Sequence, residues 1–439
     1  MIKFQNMIID FSVQNFRSIN DVQTLNFRTT GLKSAEKHSY IDKNNIFKES
    51  GVSLFKTIGI YGANASGKSN LIKALDSFIK VISAQPSDLS NLSSLCQPFL
   101  FQKEPEKTES FFQITLLIGG VKYRYGLTVM KNPKAQTEVG KGSLEIVTNE
   151  WLYADKNKKM SLLFLRIGDK IDKNNLQNKS KIPSSLPYKH SLFLTHTAAF
   201  DRGGDSNKIS RYLRGLATSN FDVHNDKFRW LSISHINQDL DEKKKFINLL
   251  SSFNLKYTDV ILEQDSIEKF SLSEIFPQDK IFLAKEFKLG NENISVTLNL
   301  KNNESAGTQK MFDLTGLLLR AFFTVKESAF IILDEIDSNF HPSLLIKLIR
   351  MFNDPEINKC NSQLLFTSHD TNLMSPSIMR RDQFYFTEKR EDESTRLYSL
   401  SDLKGIRNDA DFAKQYLAGF YGATPLLDNY CSQIDAKDE

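Results

Sequence analysis

Apolar and polar residues alternate along the beginning of the chain. Between Ile8 and Phe27, apolar side chains recur at every second position in two runs, which predicts two strands with one buried face each. The short apolar run from Leu54 to Tyr61 predicts a buried strand. Residues 110–130 predict a hairpin that turns at Gly119-Gly120, and residues 146–166 predict further strands. We therefore expect the amino-terminal part to be rich in β-structure.

A helical period replaces this alternation in two places. Leu71, Leu75 and Phe78 are spaced three and four residues apart, so they predict a helix directly after the strand that ends at Tyr61. Residues 202–253 have helical spacing and little β character. This second stretch predicts a small helical lobe inserted into the sheet domain.

Strands and helices alternate in the carboxyl-terminal third. Residues 286–300 return to strand alternation, and residues 307–325 predict a helix. An apolar strand, a helix and a second apolar strand follow, in the order 329–337, 341–352 and 362–370. This order predicts an α/β fold with a largely parallel core sheet flanked by helices. We expect an amino-terminal lobe over residues 1–201, a mainly helical insertion over 202–285 and a carboxyl-terminal lobe over 286–439.

The composition is that of an ordinary globular protein. Of 439 residues, 40% are apolar and 25% are charged, which excludes disordered and collagen-like chains. Three widely spaced cysteines match no metal-ligand spacing and fit a reducing compartment. We find neither the apolar core of a signal peptide nor the roughly 18 apolar residues of a membrane span. We therefore expect a cytoplasmic protein, and a net charge of +5 is too small to indicate nucleic-acid binding by itself.

Residues Gly62–Ser69 satisfy the pattern G-x-x-x-x-G-K-[ST] of a P-loop. Its glycines let backbone N–H groups surround phosphate oxygens at the start of a helix, whose positive end faces the anion. Lys68 is expected to reach the β- and γ-phosphates of ATP, and Ser69 to hold Mg²⁺. The predicted nucleotide-binding residues are Gly62, Asn64, Ala65, Ser66, Gly67, Lys68, Ser69 and Asn70.

An acidic pair follows the apolar strand that starts at Phe330. Asp334 and Glu335 come at its carboxyl end, the edge at which open α/β sheets bind ligands. Asp334 is expected to contact Mg²⁺, and Glu335 to polarise the water that attacks the γ-phosphate. Such a pair alone is more often a solvated strand end, but the P-loop makes the catalytic interpretation the stronger one.

The spacing of these motifs narrows the class of ATPase. Lys68 and Asp334 are 266 positions apart, which is too far for a compact AAA+ or Ras-like core and natural for an ABC-type head with insertions. Residues Ser305, Gly307, Thr308 and Gln309 lie at the start of the helix predicted over residues 307–325 and resemble the signature motif of ABC-type ATPases. Taken alone, they indicate a helix N-cap; in the ABC class this position binds the nucleotide held by another subunit.

Two further segments occupy positions expected in such a head. Residues 336–342 follow Glu335 where ABC-type proteins have the D-loop, which contacts the opposite subunit. His369 ends the next apolar strand, where these heads carry a histidine that senses the γ-phosphate. Its imidazole can donate a hydrogen bond to developing phosphate charge.

Taken together, these motifs resemble the RecF- and SMC-related, ABC-type AAA-family ATPases of bacterial phage-defence and abortive-infection operons. The head is similar to that of OLD-type nucleases, without their TOPRIM domain. The segments that carry the resemblance are VQNFRSI, YGANASGKSN, ESAGTQ, LDEIDSNFHP, LFTSHD, MRRDQFYFTEK and YLAGFYGATP. The absence of an LSGGQ motif argues against membrane transport, and the absence of long coiled-coil arms against chromosome tethering.

The resemblance implies a Mg²⁺-dependent ATPase that self-associates, with ATP at the interface. It would act as a switch or scaffold in antiviral defence and control a separate effector such as a nuclease. Two alternatives remain open at this point. One is a RecF-like repair ATPase that binds duplex DNA, and the other is a nearly inactive, nucleotide-gated scaffold.

Weaker candidates complete the predicted site. ABC heads use a glutamine to complete the Mg²⁺ and water site, and either Gln97 or Gln102 could serve; Gln97 is preferred. Arg17 lies where related heads place a residue near the nucleotide, although a structural ion pair is equally compatible. The short lysine runs at 156–159 and 243–245 are interpreted mainly as solvated faces.

Overall fold

The computed structural model describes residues 5–84, 90–133, 144–156, 158–183, 185–219, 226–263, 278–324, 328–338 and 340–425. Two large sheets dominate this part of the chain. The helix that follows the P-loop is α2 (Lys68–Ala84), and its apolar side packs in the core between the two sheets. The structure thereby confirms the predicted α/β class with a mixed set of strands flanked by helices.

The first sheet has seven strands in the order β10-β9-β8-β7-β6-β1-β2, each antiparallel to its neighbours. Its strands are β1 (Met7–Gln14), β2 (Gln23–Asn26), β6 (Ser110–Ile118), β7 (Val121–Lys131), β8 (Glu145–Lys156), β9 (Lys159–Ile167) and β10 (Lys170–Asn174). The predicted hairpin is confirmed, because β6 and β7 are joined at Gly119-Gly120. Phe78 of α2 packs on this sheet, with ring centroids 5.9 Å from Phe11 and 6.0 Å from Phe112.

The second sheet has six strands in the order β11-β15-β16-β5-β17-β18. All neighbours are parallel except β17 and β18. Its strands are β5 (Thr57–Tyr61), β11 (Ala217–Ser219), β15 (Phe330–Leu333), β16 (Gln363–Thr367), β17 (Phe384–Lys389) and β18 (Thr395–Ser399). The largely parallel core sheet predicted from the sequence is therefore this one.

Alternate residues of the parallel sheet enter two different cores. Ile58 and Ile60 belong to the core shared with α2 and the antiparallel sheet. Tyr61, Ile331 and Leu333 belong to the core on the opposite face, which the later helices cover. A strand buried on both faces needs a nearly continuous apolar run, which is why β5, β15 and β16 were recognisable in the sequence.

The remaining helices surround these sheets. They are α1 (Tyr40–Asn44), α3 (Phe193–Phe200), α4 (Asp205–Gly215), α5 (Asp226–Gln238), α6 (Leu240–Ser252), α7 (Ala306–Leu319), α8 (Pro342–Asn353) and α9 (Phe412–Leu417). A π-helical turn, Arg320–Thr324, continues α7, so the predicted helix over 307–325 is confirmed almost to its ends. Helices α5 and α6 pack on α7, where the rings of Phe246 and Phe312 are 5.0 Å apart.

Three sequence-based boundaries differ from the structure. The predicted strand from Leu54 to Tyr61 is two strands, because β4 (Val52–Phe55) pairs with β3 (Ile46–Glu49), and buried Lys56 separates it from β5. Helix α4 lies in the region expected to be an insertion, yet it packs in the same core as α2. The boundary expected at residues 285–286 falls inside β13 (Ile281–Leu289).

A third sheet explains that last difference. Strand β13 pairs with β12 (Asp259–Leu262) and with β14 (Glu292–Asn299), so the alternation over residues 286–300 belongs to a hairpin. Its outer half is exposed, including Phe287 and Leu289. The two-residue period marked the strands correctly but could not show whether their apolar face is covered.

Candidate functional site

The P-loop connects the end of β5 to the start of α2. Three of its residues have left-handed backbone angles: Gly62 with φ 151°, Ala65 with φ 60° and Gly67 with φ 108°. A Cβ atom on Gly62 would lie 2.4 Å from the carbonyl oxygen of Thr387, and one on Gly67 would lie 2.0 Å from Thr395 Oγ1. The glycines are therefore required both by the turn and by the close approach of β17 and β18.

A cavity of about 740 Å³ opens in front of this loop. It unites residues that are far apart in the sequence, because the carboxyl ends of neighbouring parallel strands meet at one edge of the sheet. The predicted residues that line it are Asn64, Ala65, Ser66, Gly67, Lys68, Ser69, Asn70, Gln97, Glu335 and His369. The residues lining the cavity do not include Gly62, Asp334, Ser305, Gly307, Thr308 or Gln309.

The Lys68 side chain is buried against its own loop. Its Nζ donates hydrogen bonds to the carbonyl oxygens of Gly62, at 2.8 Å, and Ala63, at 2.9 Å. Burial lowers the pKa of Lys68 to about 8, and the charges of Asp334 and Glu335 only partly oppose that effect. A phosphate group in the cavity would restore the ammonium form, because it supplies the negative charge that the buried lysine needs.

The acidic pair is held by the neighbouring strand. Thr367, fully buried at the end of β16, donates its hydroxyl to Asp334 Oδ1 at 2.5 Å. The same hydroxyl oxygen accepts the backbone N–H of Glu335 at 2.7 Å. Glu335 has a left-handed backbone with φ 51°, and its side chain is exposed to the cavity. One hydroxyl therefore holds both the Asp334 carboxylate and the Glu335 backbone.

His369 follows two residues after Thr367 and lines the cavity. Its backbone N–H donates to Asp337 Oδ2 at 3.1 Å, which ties it to the segment after Glu335. Burial and the charge of Lys68 lower the pKa of His369, against the opposing effect of Asp337. This shift favours the neutral imidazole. Asn339 of the expected D-loop lies outside the described residues.

The donors expected to hold Mg²⁺ fit that ion chemically. Ser69 supplies a hydroxyl, Gln97 an amide oxygen and Asp334 a carboxylate, which are the hard oxygen ligands that Mg²⁺ prefers. The described part of the chain contains no cluster of three or more His, Cys, Asp or Glu side chains suited to a metal. Mg²⁺ takes much of its coordination from water and phosphate, so it needs few protein ligands.

The two candidate glutamines have different surroundings. Gln97 lines the cavity, and its Oε1 accepts a 2.7 Å hydrogen bond from Arg17 Nε. Arg17 also donates to Asn70 Oδ1 at 3.2 Å, so it joins the first turn of α2 to the Gln97 segment. Gln102 instead donates to Asn15 Oδ1 at 2.6 Å and to Phe99 O at 2.8 Å, in a network that supports the β1–β2 turn.

The segment that resembles a signature motif caps helix α7. Ser305 is its N-cap and accepts the Thr308 N–H at 3.2 Å, while Gln309 donates to the Glu304 carbonyl oxygen at 3.0 Å. Ser305 is exposed and Gly307 partly exposed, so this positive helix end is open to an anion. It is separate from the P-loop cavity of the same chain.

The sequence did not single out several residues that shape this site. Thr367 holds the acidic pair. Thr387 and Thr395 support the P-loop through Ser66: the Oγ atoms of Thr387 and Ser66 are 2.6 Å apart, and the Thr395 hydroxyl donates to the Ser66 carbonyl oxygen. Lys310 is buried on α7 and donates to Ser338 Oγ at 3.1 Å. Each is a β-branched or long side chain in a regular element, where packing is the ordinary interpretation. The only sequence signal for Thr367 is its place beside Ser368 and His369.

The lysine runs are partly neutralised. Lys156 lies 3.5 Å from an Asp205 carboxylate oxygen, Lys243 2.6 Å from Asp259 and Lys245 2.6 Å from Glu242. These ion pairs agree with solvated surface positions. Within the described ranges, no helix is long and apolar enough to cross a membrane.

Comparison with known proteins places the chain in a family. The recombination mediator protein RecF of the RecFOR pathway, in its ATP form, is 12% identical with a TM-score of 0.38, over 90% of this chain and 100% of that one. Its ATPrS form is 13% identical with a TM-score of 0.32, over 90% and 99%. No curated protein matches the sequence significantly. Residues 58–375, well over half of the chain and including the P-loop and His369, match the family described as "AAA domain, putative AbiEii toxin, Type IV TA system". The chain therefore belongs to this AAA-domain family.

Proposed function

We propose that this protein binds ATP with Mg²⁺ and hydrolyses it at sites shared between two copies of the chain. The observation that carries the proposal is the cavity that brings Lys68, Glu335 and His369 together from three strand ends. The family match supports a nucleotide-binding ATPase. The separate, open end of α7 supports the division of each site between two copies.

Each residue of the cavity has a defined task in this proposal. The backbone N–H groups of Asn64–Asn70 and the Lys68 ammonium bind the phosphates. Ser69, Asp334 and Gln97 would hold Mg²⁺, which neutralises phosphate charge when bound. Glu335 accepts a hydrogen bond from the attacking water and orients it towards the γ-phosphate. His369 donates a hydrogen bond to the developing phosphate charge.

The partner's copy would complete the site. Ser305, Gly307, Thr308 and Gln309 offer a hydroxyl, an amide and backbone N–H groups at a positive helix end, which suits the γ-phosphate held by the opposite P-loop. Binding of ATP would then close the pair, and hydrolysis would open it. The chemical energy operates a conformational switch.

We further propose that this switch works in the cytoplasm, in antiviral defence, by holding and releasing a separate effector such as a nuclease. The motif resemblance and the description of the matched family as a putative toxin of a Type IV toxin–antitoxin system support this role. A RecF-like repair function is the alternative, and it requires that duplex DNA stimulate hydrolysis. A nearly inactive scaffold would bind ATP but turn it over very slowly.

ATP hydrolysis measured against protein concentration, with and without duplex DNA, separates these functions. Lys68→Ala is the baseline. A specific rate that rises with concentration and ignores DNA is the expected result. Strong stimulation by DNA that falls steeply with salt would put the repair function first. A rate equal to that of Lys68→Ala, without detectable ATP binding, would contradict the proposal.

A further inference from the structure

Residues 416–425 lie against the P-loop. The backbone N–H of Ala63, the second residue of the P-loop, donates a 2.9 Å hydrogen bond to the carbonyl oxygen of Ala423. The Tyr416 hydroxyl donates to the same oxygen at 3.1 Å. The two alanines are 360 positions apart in the sequence, so this contact is a tertiary feature of the folded head.

This segment is built into the core and is anchored to β17 and β18. Tyr416 and Tyr421 are buried, with ring centroids 5.5 Å and 5.7 Å from that of Phe386. The Tyr398 hydroxyl donates to the carbonyl oxygen of Tyr421 at 2.6 Å. Phe386 is the register partner of Tyr61, the residue before the P-loop. The strand that leads into the loop and the segment that touches the loop therefore share one aromatic layer.

The backbone of the segment adopts a demanding conformation. Gly422 and Ala423 both have left-handed angles, with φ 69° and 57°. A Cβ on Gly422 would lie 2.9 Å from Glu388 Oε1 and 3.0 Å from Tyr398 Oη. For Ala423 this conformation costs about 1 kcal/mol, so the surrounding contacts must hold it in place. One of them is the hydrogen bond from Ala423 N–H to Glu388 Oε1, at 3.4 Å.

These contacts hold the start of the P-loop in place. The Ala63 residue is held on both sides, because its N–H binds Ala423 and its carbonyl oxygen accepts Lys68 Nζ at 2.9 Å and Ser66 N–H at 3.3 Å. Gly62 lies so close to Thr387 of β17 that a Cβ atom on it would clash with the Thr387 carbonyl oxygen. Residues 416–425 therefore hold Ala63 at the start of the P-loop, and the Lys68 side chain binds the carbonyl oxygen of the same residue.

We propose that residues 416–425 are a positioning element for the P-loop, and that the Ala423 carbonyl, held by Tyr416, sets the affinity for nucleotide. The element does not touch the cavity; it acts through the Ala63 peptide. This inference rests on the proposed function in that the ligand is ATP. A displaced Ala423 leaves the Ala63 peptide free to rotate, so the loop binds phosphate with a larger loss of conformational entropy.

Two matched glycine variants test the proposal. Gly422→Ala adds a methyl group that meets Glu388 and Tyr398, whereas Gly405→Ala adds the same group at the same kind of left-handed backbone, φ 81°, with nothing within 4 Å. Thermal unfolding and the Kd for Mg²⁺–ATP are measured for both full-length variants. We expect both to lose stability through backbone strain, and Gly422→Ala alone to weaken ATP binding by about tenfold.

A milder pair keeps the test valid if Gly422→Ala does not fold. Tyr416→Phe removes the hydroxyl that binds Ala423, and Tyr385→Phe removes one that donates to the Asn26 carbonyl oxygen at 3.0 Å, on the side of β2. Tyr416→Phe loses one hydrogen bond, and Tyr385→Phe loses two, because the Tyr385 hydroxyl also accepts the Asn26 N–H at 3.3 Å. The control therefore costs at least as much stability as the test variant. We expect Kd to rise about threefold for Tyr416→Phe only, with kcat at saturating ATP unchanged.

The outcomes separate this inference from the proposed function. If wild type binds ATP, Lys68→Ala does not, and the Kd values of Gly422→Ala and Tyr416→Phe equal those of their controls, the inference is wrong and the proposed function stands. If wild type binds no better than Lys68→Ala, the proposed function itself fails.

Discussion

The Thr367 hydroxyl donates a 2.5 Å hydrogen bond to Asp334 Oδ1, across the boundary between two parallel strands. Because the same oxygen accepts the Glu335 N–H, a single side chain holds the expected metal ligand and the backbone of the expected catalytic residue. Thr367 is thus a positioning residue that touches neither metal nor nucleotide in this account. Outer residues of this kind affect metal sites strongly, because they orient the ligands.

Thr367→Val should lower ATP hydrolysis by about 10- to 100-fold, because the isosteric side chain neither donates to Asp334 nor accepts from Glu335. Thr367→Ser keeps the hydroxyl and should retain most of the activity. A Mg²⁺ titration of the rate adds a second observable, since the half-saturating Mg²⁺ concentration should rise for the valine variant. Equal rates and Mg²⁺ dependence for the valine and serine variants would refute the role given to Thr367.

Nucleotide affinity should depend on pH through Lys68. Burial lowers its pKa to about 8 from the usual 10.5, so the ammonium form is present below that pH and is lost above it. The phosphates bind the ammonium form, and ATP binding should therefore weaken above pH 8, by up to about tenfold per pH unit. Titration calorimetry between pH 7 and 10 measures this.

Lys68→Arg is the control for that pH dependence. Its guanidinium stays charged throughout the range, so its affinity, although lower, should not change with pH. The free energy of unfolding without nucleotide should instead increase with pH. Between pH 8 and 10.5 the unfolded chain binds more protons at Lys68 than the folded chain does, so this group makes the free energy of unfolding rise with pH. A wild-type Kd that stays constant up to pH 10 would show that Lys68 does not hold the phosphates as its ammonium form.

Glu335→Gln should bind ATP normally and hydrolyse it at least about 100-fold more slowly, because an amide cannot take up the proton of the attacking water. Glu393→Gln is the matched control. Glu393 also lines the cavity, but it forms an ion pair with Lys389 and has no role in the proposed hydrolysis. Light scattering with ATP should show a longer-lived dimer for Glu335→Gln. If its hydrolysis equals that of the control, another residue activates the water.

Lys310 links the open end of α7 to the catalytic strand ends. Its Nζ binds Ser338 Oγ, and the adjacent Asp337 binds the backbone of His369. Lys310→Met should leave ATP affinity unchanged and reduce hydrolysis by about two- to thirtyfold. Lys56→Met removes another buried lysine, which donates to the Asn353 carbonyl oxygen at 3.3 Å, and serves as the control for lost stability. The link is absent if both variants hydrolyse ATP alike.

The sequence revealed the parts of the site that have a fixed local pattern. The P-loop, the acidic pair and His369 each follow an apolar strand that is buried on both faces, so their positions at one sheet edge could be predicted. Thr367 could not be identified, because a threonine inside an apolar run is an ordinary strand residue. Its role depends on the parallel register that places Phe366 beside Leu333.

Other features depend on contacts that no local pattern encodes. The segment YLAGFYGATP is among those that carry the family resemblance, yet nothing in its sequence indicates that Ala423 binds the P-loop. Phe287 and Leu289 alternate like buried residues, but they lie in the part of the hairpin beyond its pairing with β12, and both are exposed. Helix α4 looked like part of an insertion because helical spacing does not reveal which core a helix joins.

The central claim is that each ATP site is shared between two copies, and a mixing experiment tests it most directly. Lys68→Ala disables the P-loop. Ser305→Asp keeps the N-cap of α7, since aspartate is a good cap, but places a negative charge against the γ-phosphate. Ser305→Asn is the neutral control and should stay active. In a mixed dimer, the P-loop of one variant faces the intact Ser305 segment of the other.

Each variant alone should be inactive, and an equal mixture should recover about a quarter of the wild-type rate, because half of the dimers are mixed and each has one intact site. Hydrolysis is measured after the two proteins have exchanged subunits. Recovery at that level, lost again on dilution, is the predicted result. If Ser305→Asp alone hydrolyses ATP like wild type, or if the mixture stays as inactive as its components after exchange has been verified, the shared-site account is wrong.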